Sequence, residues 1–169
     1  MDADALAQLE ANLKRLAQLD LALARRIIAP VDDCVIDASD ASAPVYIHHH
    51  DRFSLCCDDA TREGLVGELT GERPALVFGA GDVALIRDVL DATGEQKVIV
   101  WDRDPALVRV FLATEDWTSA LTSGRLVPCL GVDLVSLLPH RDAVELVVHP
   151  LLGQLYEAEL EIFRQGLGD

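Results

Sequence analysis

An apolar strand that runs directly into a glycine turn constrains the fold of this chain more than any other feature. Residues 75–78 read Ala-Leu-Val-Phe, and residues 79–82 continue with Gly-Ala-Gly-Asp. Apolar side chains then recur at helical spacing, which predicts a helix packed back onto the strand. A second apolar strand, residues 97–101, ends on Asp102, 21 residues after the second glycine (102 − 81). This layout is typical of a β-α-β unit that binds a nucleotide-like ligand.

The glycine turn and the end of the second strand supply the predicted ligand-binding residues. Gly79 and Gly81 would let the backbone approach a ligand at the helix N-terminus. Asp102 would accept a hydrogen bond from a ribose hydroxyl; the alternative for this residue is a solvated strand end with no ligand. Asp82 carries a negative charge that would repel a pyrophosphate, so it favours a cationic or uncharged ligand. The four residues predict a site but leave its ligand open.

Two further strands complete the predicted sheet. Residues 126–130 and 143–148 are apolar and alternate with helical segments. We therefore predict an α/β fold with a Rossmann-like, doubly wound and mostly parallel sheet, in which ligands lie at the carboxyl ends of the strands. Asp133 follows the third strand, either as a helix cap, which is favoured, or as a neighbour of an adenine. His149 follows the fourth strand and is a candidate catalytic base.

The first 74 residues form a predicted N-terminal segment that joins the core, residues 75–169, in one compact domain. Residues 2–28 carry leucines at spacings of three, four and seven, which predicts one helix. This helix is expected to pack on the domain. The alternative is that it pairs with a second copy of the chain in a homodimer.

A β-hairpin is predicted between this helix and the core. Its arms are residues 45–48 and 53–56, and three consecutive histidines, residues 48–50, lie near its turn. No nearby residues complete a set of four ligands, so no metal site is predicted. A closing helix is predicted over residues 156–163.

The charge of the chain argues against two classes of partner. With 14 basic and 29 acidic residues the net charge is −15, whereas nucleic acids and anionic membranes bind through basic patches. The four cysteines contain no C-x-x-C pair, so we predict reduced thiols and a cytoplasmic location. We also expect neither a signal peptide nor a membrane span, because no apolar run reaches roughly 18 residues.

Three short motifs at strand ends carry a first resemblance. They are Val-Phe-Gly-Ala-Gly at 77–81, Val-Trp-Asp at 100–102 and Gly-Val-Asp at 131–133. Through them the core resembles the class I methyltransferase fold that uses S-adenosylmethionine. The resemblance implies that the glycine turn passes under the methionine moiety, that Asp102 holds the ribose and that Asp133 lies near the adenine. The proline-aromatic motif that this family often carries at its fourth strand is absent here.

A second set of motifs covers more of the chain. They are Phe-Gly-Ala-Gly at 78–81, Trp-Asp-Arg-Asp-Pro at 101–105, Glu-Asp-Trp at 115–117 and His-Pro at 149–150. In this order, the chain resembles the amino-terminal Rossmann-like domain of bacterial glycosyltransferases and motility accessory factors, a group related to spore-maturation glycosyltransferases. In that group the domain precedes the catalytic one. The resemblance therefore implies a stand-alone homologue or an excised domain.

Two functional hypotheses of different class follow. The first is an accessory or ligand-binding domain related to protein or sugar glycosylation that performs no chemistry alone. Its partner would be a nucleotide-type ligand or a glycosyltransferase. The second is an S-adenosylmethionine-dependent methyltransferase that uses the glycine turn, Asp102 and Asp133. The cofactor stays open between S-adenosylmethionine and a nucleotide.

Overall fold

The structure, a computed structural model, describes residues 1, 3–29, 36–37, 44–48 and 51–165. Strands and helices alternate along the second half of the chain. In order the elements are α1 (Ala3–Leu19), α2 (Leu21–Ile28), β1 (Ile36–Asp37), β2 (Val45–His48), β3 (Asp51–Ser54), α3 (Asp59–Gly67), β4 (Ala75–Phe78), α4 (Val83–Ala92), β5 (Val98–Asp102), α5 (Pro105–Thr114), α6 (Thr118–Ser123), β6 (Leu126–Leu130), α7 (Leu134–Leu137), β7 (Glu145–Val148), α8 (Pro150–Leu155) and α9 (Glu157–Gln165). Short 3₁₀ segments, Gly131–Asp133 and Leu138–Ala143, flank α7.

The strands β4 to β7 form one parallel sheet in the order β6-β5-β4-β7. Val77 in β4 is in register with Val100 of β5 and with Val147 of β7. The chain therefore moves outward from β4 to β6 and returns to the other side of β4, with helices flanking the sheet. This confirms the predicted Rossmann-like α/β fold. The reversal creates a topological switch point at the carboxyl ends of β4 and β7, where open α/β sheets bind their ligands.

The central strand β4 lies in the middle of the hydrophobic core. Its four residues, 75–78, are fully buried, because neighbouring strands cover both of its edges and helices pack on the sheet. Pro128 lies in β6, which is an edge strand, the position in which a sheet tolerates proline.

The N-terminal segment forms two helices, so the prediction of a single helix over residues 2–28 was wrong. The carboxylate of Asp20 accepts a hydrogen bond from the Leu23 amide at 2.9 Å and caps α2, which ends the preceding helix. Both helices pack on α5, where buried Asn12 donates to the Leu112 carbonyl at 2.8 Å. The segment is therefore fixed to the core.

The strands β2 and β3 form the predicted hairpin, and β1 pairs with β2 as a third antiparallel strand. β3 spans Asp51–Ser54, two residues earlier than predicted, so that His48 pairs with Asp51 at the end of the hairpin. Leu55, predicted within the strand, is instead fully buried beyond its end. Outside the described residues lie Cys34, His49 and His50.

The C-terminal segment contains two helices, whereas the sequence predicted one over residues 156–163. The additional helix α8 follows β7 directly, with His149 as its N-cap and Pro150 at its first position. A Cβ on Gly153 would lie 2.4 Å from Cγ1 of Val148, so α8 packs closely on β7. The helix was missed because six residues are too few for apolar periodicity to reveal it.

Candidate functional site

The glycine turn after β4 is covered by side chains of the same protein. Gly79 has a φ of +107°, and a Cβ there would lie 2.8 Å from Cδ1 of Leu152 and 3.0 Å from Cβ of His149. A Cβ on Gly81 would lie 3.1 Å from Cβ of Leu55 and 3.1 Å from Cδ1 of Leu152. The two glycines therefore make room for two leucines, in the space through which a ligand would approach the turn.

Asp102, the last residue of β5, is fully buried with both carboxylate oxygens engaged. Oδ2 accepts from the Ala80 amide at 2.7 Å, and Oδ1 accepts from the Asp104 amide at 2.8 Å and from the Tyr156 hydroxyl at 3.1 Å. Burial raises the pKa of Asp102 to about 7, although the three donors favour the ionised form. The predicted ribose acceptor thus ties the glycine turn to the start of α5 and to the C-terminal segment.

Tyr156 belongs to an aromatic cluster over the carboxyl ends of β4 and β5. Its ring centroid lies 5.9 Å from that of Trp101 and 6.4 Å from that of Phe78, and the Arg103 guanidinium stacks 4.4 Å from the Tyr156 ring centre. Burial and the neighbouring Asp102 raise the pKa of Tyr156, so the phenol stays protonated and donates to Asp102. Trp101 is only 1% exposed and packs in the core. Aromatic side chains therefore occupy the ends of the two central strands.

Asp82 is only 1% exposed and binds two backbone amides. Oδ1 accepts from the Leu85 amide at 3.1 Å, which makes Asp82 the N-cap of α4. Oδ2 accepts from the Cys57 amide at 2.7 Å. Its charge therefore stabilises the start of the helix and fixes the segment that follows the hairpin.

His149 closes the switch point from the side of β7. It is 2% exposed, its Nε2 lies 2.6 Å from the Leu55 carbonyl oxygen, and its Nδ1 accepts from the Leu152 amide at 3.2 Å. This arrangement assigns the proton to Nε2 and leaves the ring neutral, and burial lowers the pKa of His149. Both ring nitrogens are used in holding the chain together, so neither is free to act as a base.

Residues 55–57, which we call the strap, link the hairpin to the switch point. The Leu55 amide donates to the Pro44 carbonyl at 3.0 Å, and the strap then binds His149 and Asp82 through the two contacts above. Burial raises the pKa of Cys57 to about 12, so this thiol is not a ready nucleophile. The strap lies across the crevice in which an open α/β sheet binds its ligand.

Asp133 lies outside this group of residues. Its Oδ2 accepts from the Leu130 amide at 2.9 Å, and its Oδ1 accepts from Nη1 of Arg26 at 2.8 Å. Arg26 also donates to the Leu130 carbonyl. Asp133 therefore joins α2 to the end of β6.

A separate cavity of about 280 Å³ lies beside the carboxyl ends of β5 and β6. It is lined by Trp101, Arg103, Gly131, Val132, Leu134, Val135, Glu159 and Ile162. None of the predicted ligand-binding residues lines it, and its volume is below the roughly 300 Å³ at which small-molecule sites begin.

The structure brings five of the six predicted site residues together, namely Gly79, Gly81, Asp82, Asp102 and His149. As packed, they do not fit S-adenosylmethionine or a nucleotide, because the leucines cover the glycines and internal donors occupy Asp102. Ligand binding by these residues and by Asp133 stays a prediction.

The crevice is closed by Leu55, Leu152 and Tyr156, whose role in the site was not predicted from the sequence. The one available signal was proline directly after His149, which is typical of a helix start. Within the described residues no three His, Cys, Asp or Glu side chains are placed to hold a metal ion together. None of the described helices is long and apolar enough to cross a membrane.

Fold and site together define a Rossmann-like α/β domain whose switch point is filled by its own side chains. No protein-family model matches the sequence, and no curated protein matches it significantly. Among solved structures, the chain is similar to the MAf glycosyltransferase from Magnetospirillum magneticum AMB-1, with a TM-score of 0.60 and 13% identity. The match covers 96% of this chain and 36% of that one, so this chain spans about a third of its length. At this identity the similarity shows a shared fold.

Proposed function

We propose that this chain is an accessory domain that works with a glycosyltransferase of the MAf type and performs no chemistry itself. The observation that carries the proposal is the internal pairing of Asp102 with Ala80, Asp104 and Tyr156. A carboxylate that binds a ribose would have an oxygen free to accept a hydrogen bond in the crevice. Both oxygens of Asp102 instead accept hydrogen bonds from three segments of the chain and hold them together. The fold shared with a glycosyltransferase supports the link to glycosylation.

The leucine cover on the glycine turn supports the same proposal. A ligand at Gly79 or Gly81 would have to displace Leu55 and Leu152, both fully buried. Re-exposing two buried leucines costs about 1.5–3 kcal/mol for each side chain, which weakens binding by one to two orders of magnitude per leucine. We therefore expect the domain to act through its surface, as a rigid scaffold, and not through a ligand bound at the glycine turn.

Calorimetric titration tests this proposal. The full chain is titrated with S-adenosylmethionine, S-adenosylhomocysteine and a panel of sugar nucleotides, and we expect no binding up to millimolar concentrations. Micromolar binding of S-adenosylmethionine that Asp102→Asn weakens at least tenfold would contradict the proposal and favour the methyltransferase alternative instead. Micromolar binding of a sugar nucleotide would also contradict a closed scaffold. For the link to glycosylation, removing the chain from its host should lower the occupancy of protein-linked glycans in intact-mass spectra, and unchanged occupancy would contradict it.

A further inference from the structure

The helices α1 and α2 together line an apolar groove. It has a volume of about 640 Å³, and its apolar lining includes Leu6, Leu9, Leu13, Ala17, Leu21 and Ile28. Leu6, Leu21 and Ile28 are 54%, 51% and 55% exposed. A contiguous set of exposed leucine and isoleucine side chains on one face is typical of a protein–protein contact.

The excess negative charge of the chain lies outside the segment that forms the groove. Residues 1–28 carry four acidic and four basic side chains and therefore no net charge. The remaining residues, 29–169, carry ten basic and 25 acidic side chains, which accounts for the whole net charge of −15 (10 − 25). Two copies that meet through residues 1–28 therefore bring together segments without net charge, which reduces the like-charge repulsion expected between the strongly acidic remainders of the chain.

The polar residues that line the groove are self-complementary. Glu10, Lys14 and Arg25 all lie along it, and none forms an ion pair with another residue in the described part of the chain. By contrast, Arg15 of α1 donates to the Thr122 hydroxyl at 2.7 Å, on the side that faces α6. The groove thus presents unpaired charges of both signs beside exposed apolar side chains.

We propose that a second copy of this chain occupies the groove, in a two-fold arrangement that sets Glu10 of each copy against Arg25 of the other. In an isologous interface every contact occurs twice, so one acidic and one basic residue on the same face form two ion pairs. The same arrangement buries the exposed leucines of both copies against each other. A strongly acidic or strongly basic partner would leave one sign of the groove's charges unpaired. This inference concerns assembly and does not depend on the proposed glycosylation role.

Sedimentation velocity on the full chain, from about 1 to about 200 µM, tests the proposal. We expect a dimer whose dissociation constant rises at least about tenfold in Ile28→Glu and in Arg25→Glu. The double variant Glu10→Arg/Arg25→Glu exchanges the two charges and should restore the dissociation constant to within about threefold of wild type. Val132→Glu, at a residue that is 78% exposed and does not line the groove, is the apolar control. Lys97→Glu makes the same change in net charge as Arg25→Glu and is the charge control.

A wild-type chain that stays monomeric over this range would overturn the proposal. So would a dimer that the control variants weaken as much as the groove variants do. If the dissociation constant of the double variant stays as high as that of Arg25→Glu, the proposed pairing of Glu10 with Arg25 is wrong.

Discussion

Replacement of Gly79 by alanine is expected to lower the free energy of unfolding by about 3 kcal/mol or more. Two costs add up. At a φ of +107° any residue other than glycine is strained, and the new Cβ would lie within 2.8–3.0 Å of Leu152 and His149. Neither neighbour can move away from the new Cβ, because both are buried and the Leu152 amide donates a hydrogen bond to Nδ1 of His149 at the start of α8. Urea unfolding followed by circular dichroism measures the effect.

Gly64→Ala is the matched control for this substitution. Gly64 lies inside α3, and a Cβ there would have no neighbour within 4 Å. Alanine at this position should leave stability unchanged or raise it by up to about 1 kcal/mol, because alanine favours the helix. If the free energy of unfolding of Gly79→Ala lies within about 0.5 kcal/mol of that of wild type, the two leucines are not packed on the turn as described.

Asp102→Ala is expected to destabilise the chain by about 3 kcal/mol or more, whether or not a ligand exists. The substitution leaves the buried amide of Ala80, the half-buried amide of Asp104 and the hydroxyl of Tyr156 without their acceptor. Asp58→Ala serves as the control, because Asp58 is an exposed N-cap that accepts from one amide, at 2.7 Å. Its loss should cost about 1 kcal/mol. If Asp102→Ala lowers the free energy of unfolding by no more than Asp58→Ala does, Asp102 does not hold these segments together.

The raised pKa of Asp102 adds a dependence on pH. The pKa of Asp102 is about 7 in the folded state, against an ordinary value of 3.8 for a free carboxyl, so the folded state binds the proton more tightly. The stability that this proton contributes is fully present below the unfolded pKa and is lost as pH rises through the folded pKa. The unfolding free energy of wild type minus that of Asp102→Asn should therefore fall between about pH 5 and about pH 8. The lowered pKa of His149 acts in the opposite direction, but it is common to both proteins and cancels in the difference. A difference that is flat or rises over this range would contradict the assignment.

The local features of the fold could be predicted because they depend on neighbouring residues. The strand before Gly79 and the turn itself are readable from apolar runs and glycines. The start of α5 is equally local, since the Asp104 carboxylate accepts from the Ala106 amide at 2.7 Å and Pro105 is the first residue of the helix. At Asp20 the same kind of capping signal was present, but the leucine spacing on both sides of it favoured a single helix.

The closure of the crevice could not be predicted because its partners are far apart in sequence. Leu152 follows Gly81 by 71 residues (152 − 81), and Tyr156 follows Asp102 by 54. A Gly-x-Gly turn is the same whether it accommodates a phosphate or a leucine side chain, so the motif alone does not separate the two. Five of the six predicted site residues were therefore brought together, while the strap and the C-terminal segment supply partners that the sequence did not indicate: Cys57 for Asp82, Leu55 for His149 and Tyr156 for Asp102.

Native-state hydrogen exchange of the Ala80 and Leu152 amides tests most directly whether the crevice is closed. These amides donate to Asp102 and to His149, whereas the Ala75 amide donates to the Lys97 carbonyl at the far end of the sheet, at 2.9 Å. If the crevice is part of the packed core, all three should exchange only through global unfolding, with opening free energies within about 1 kcal/mol of each other. Opening free energies for Ala80 and Leu152 that are lower than that of Ala75 by about 3 kcal/mol or more would reveal a crevice that opens in the native state, and would contradict the closed scaffold.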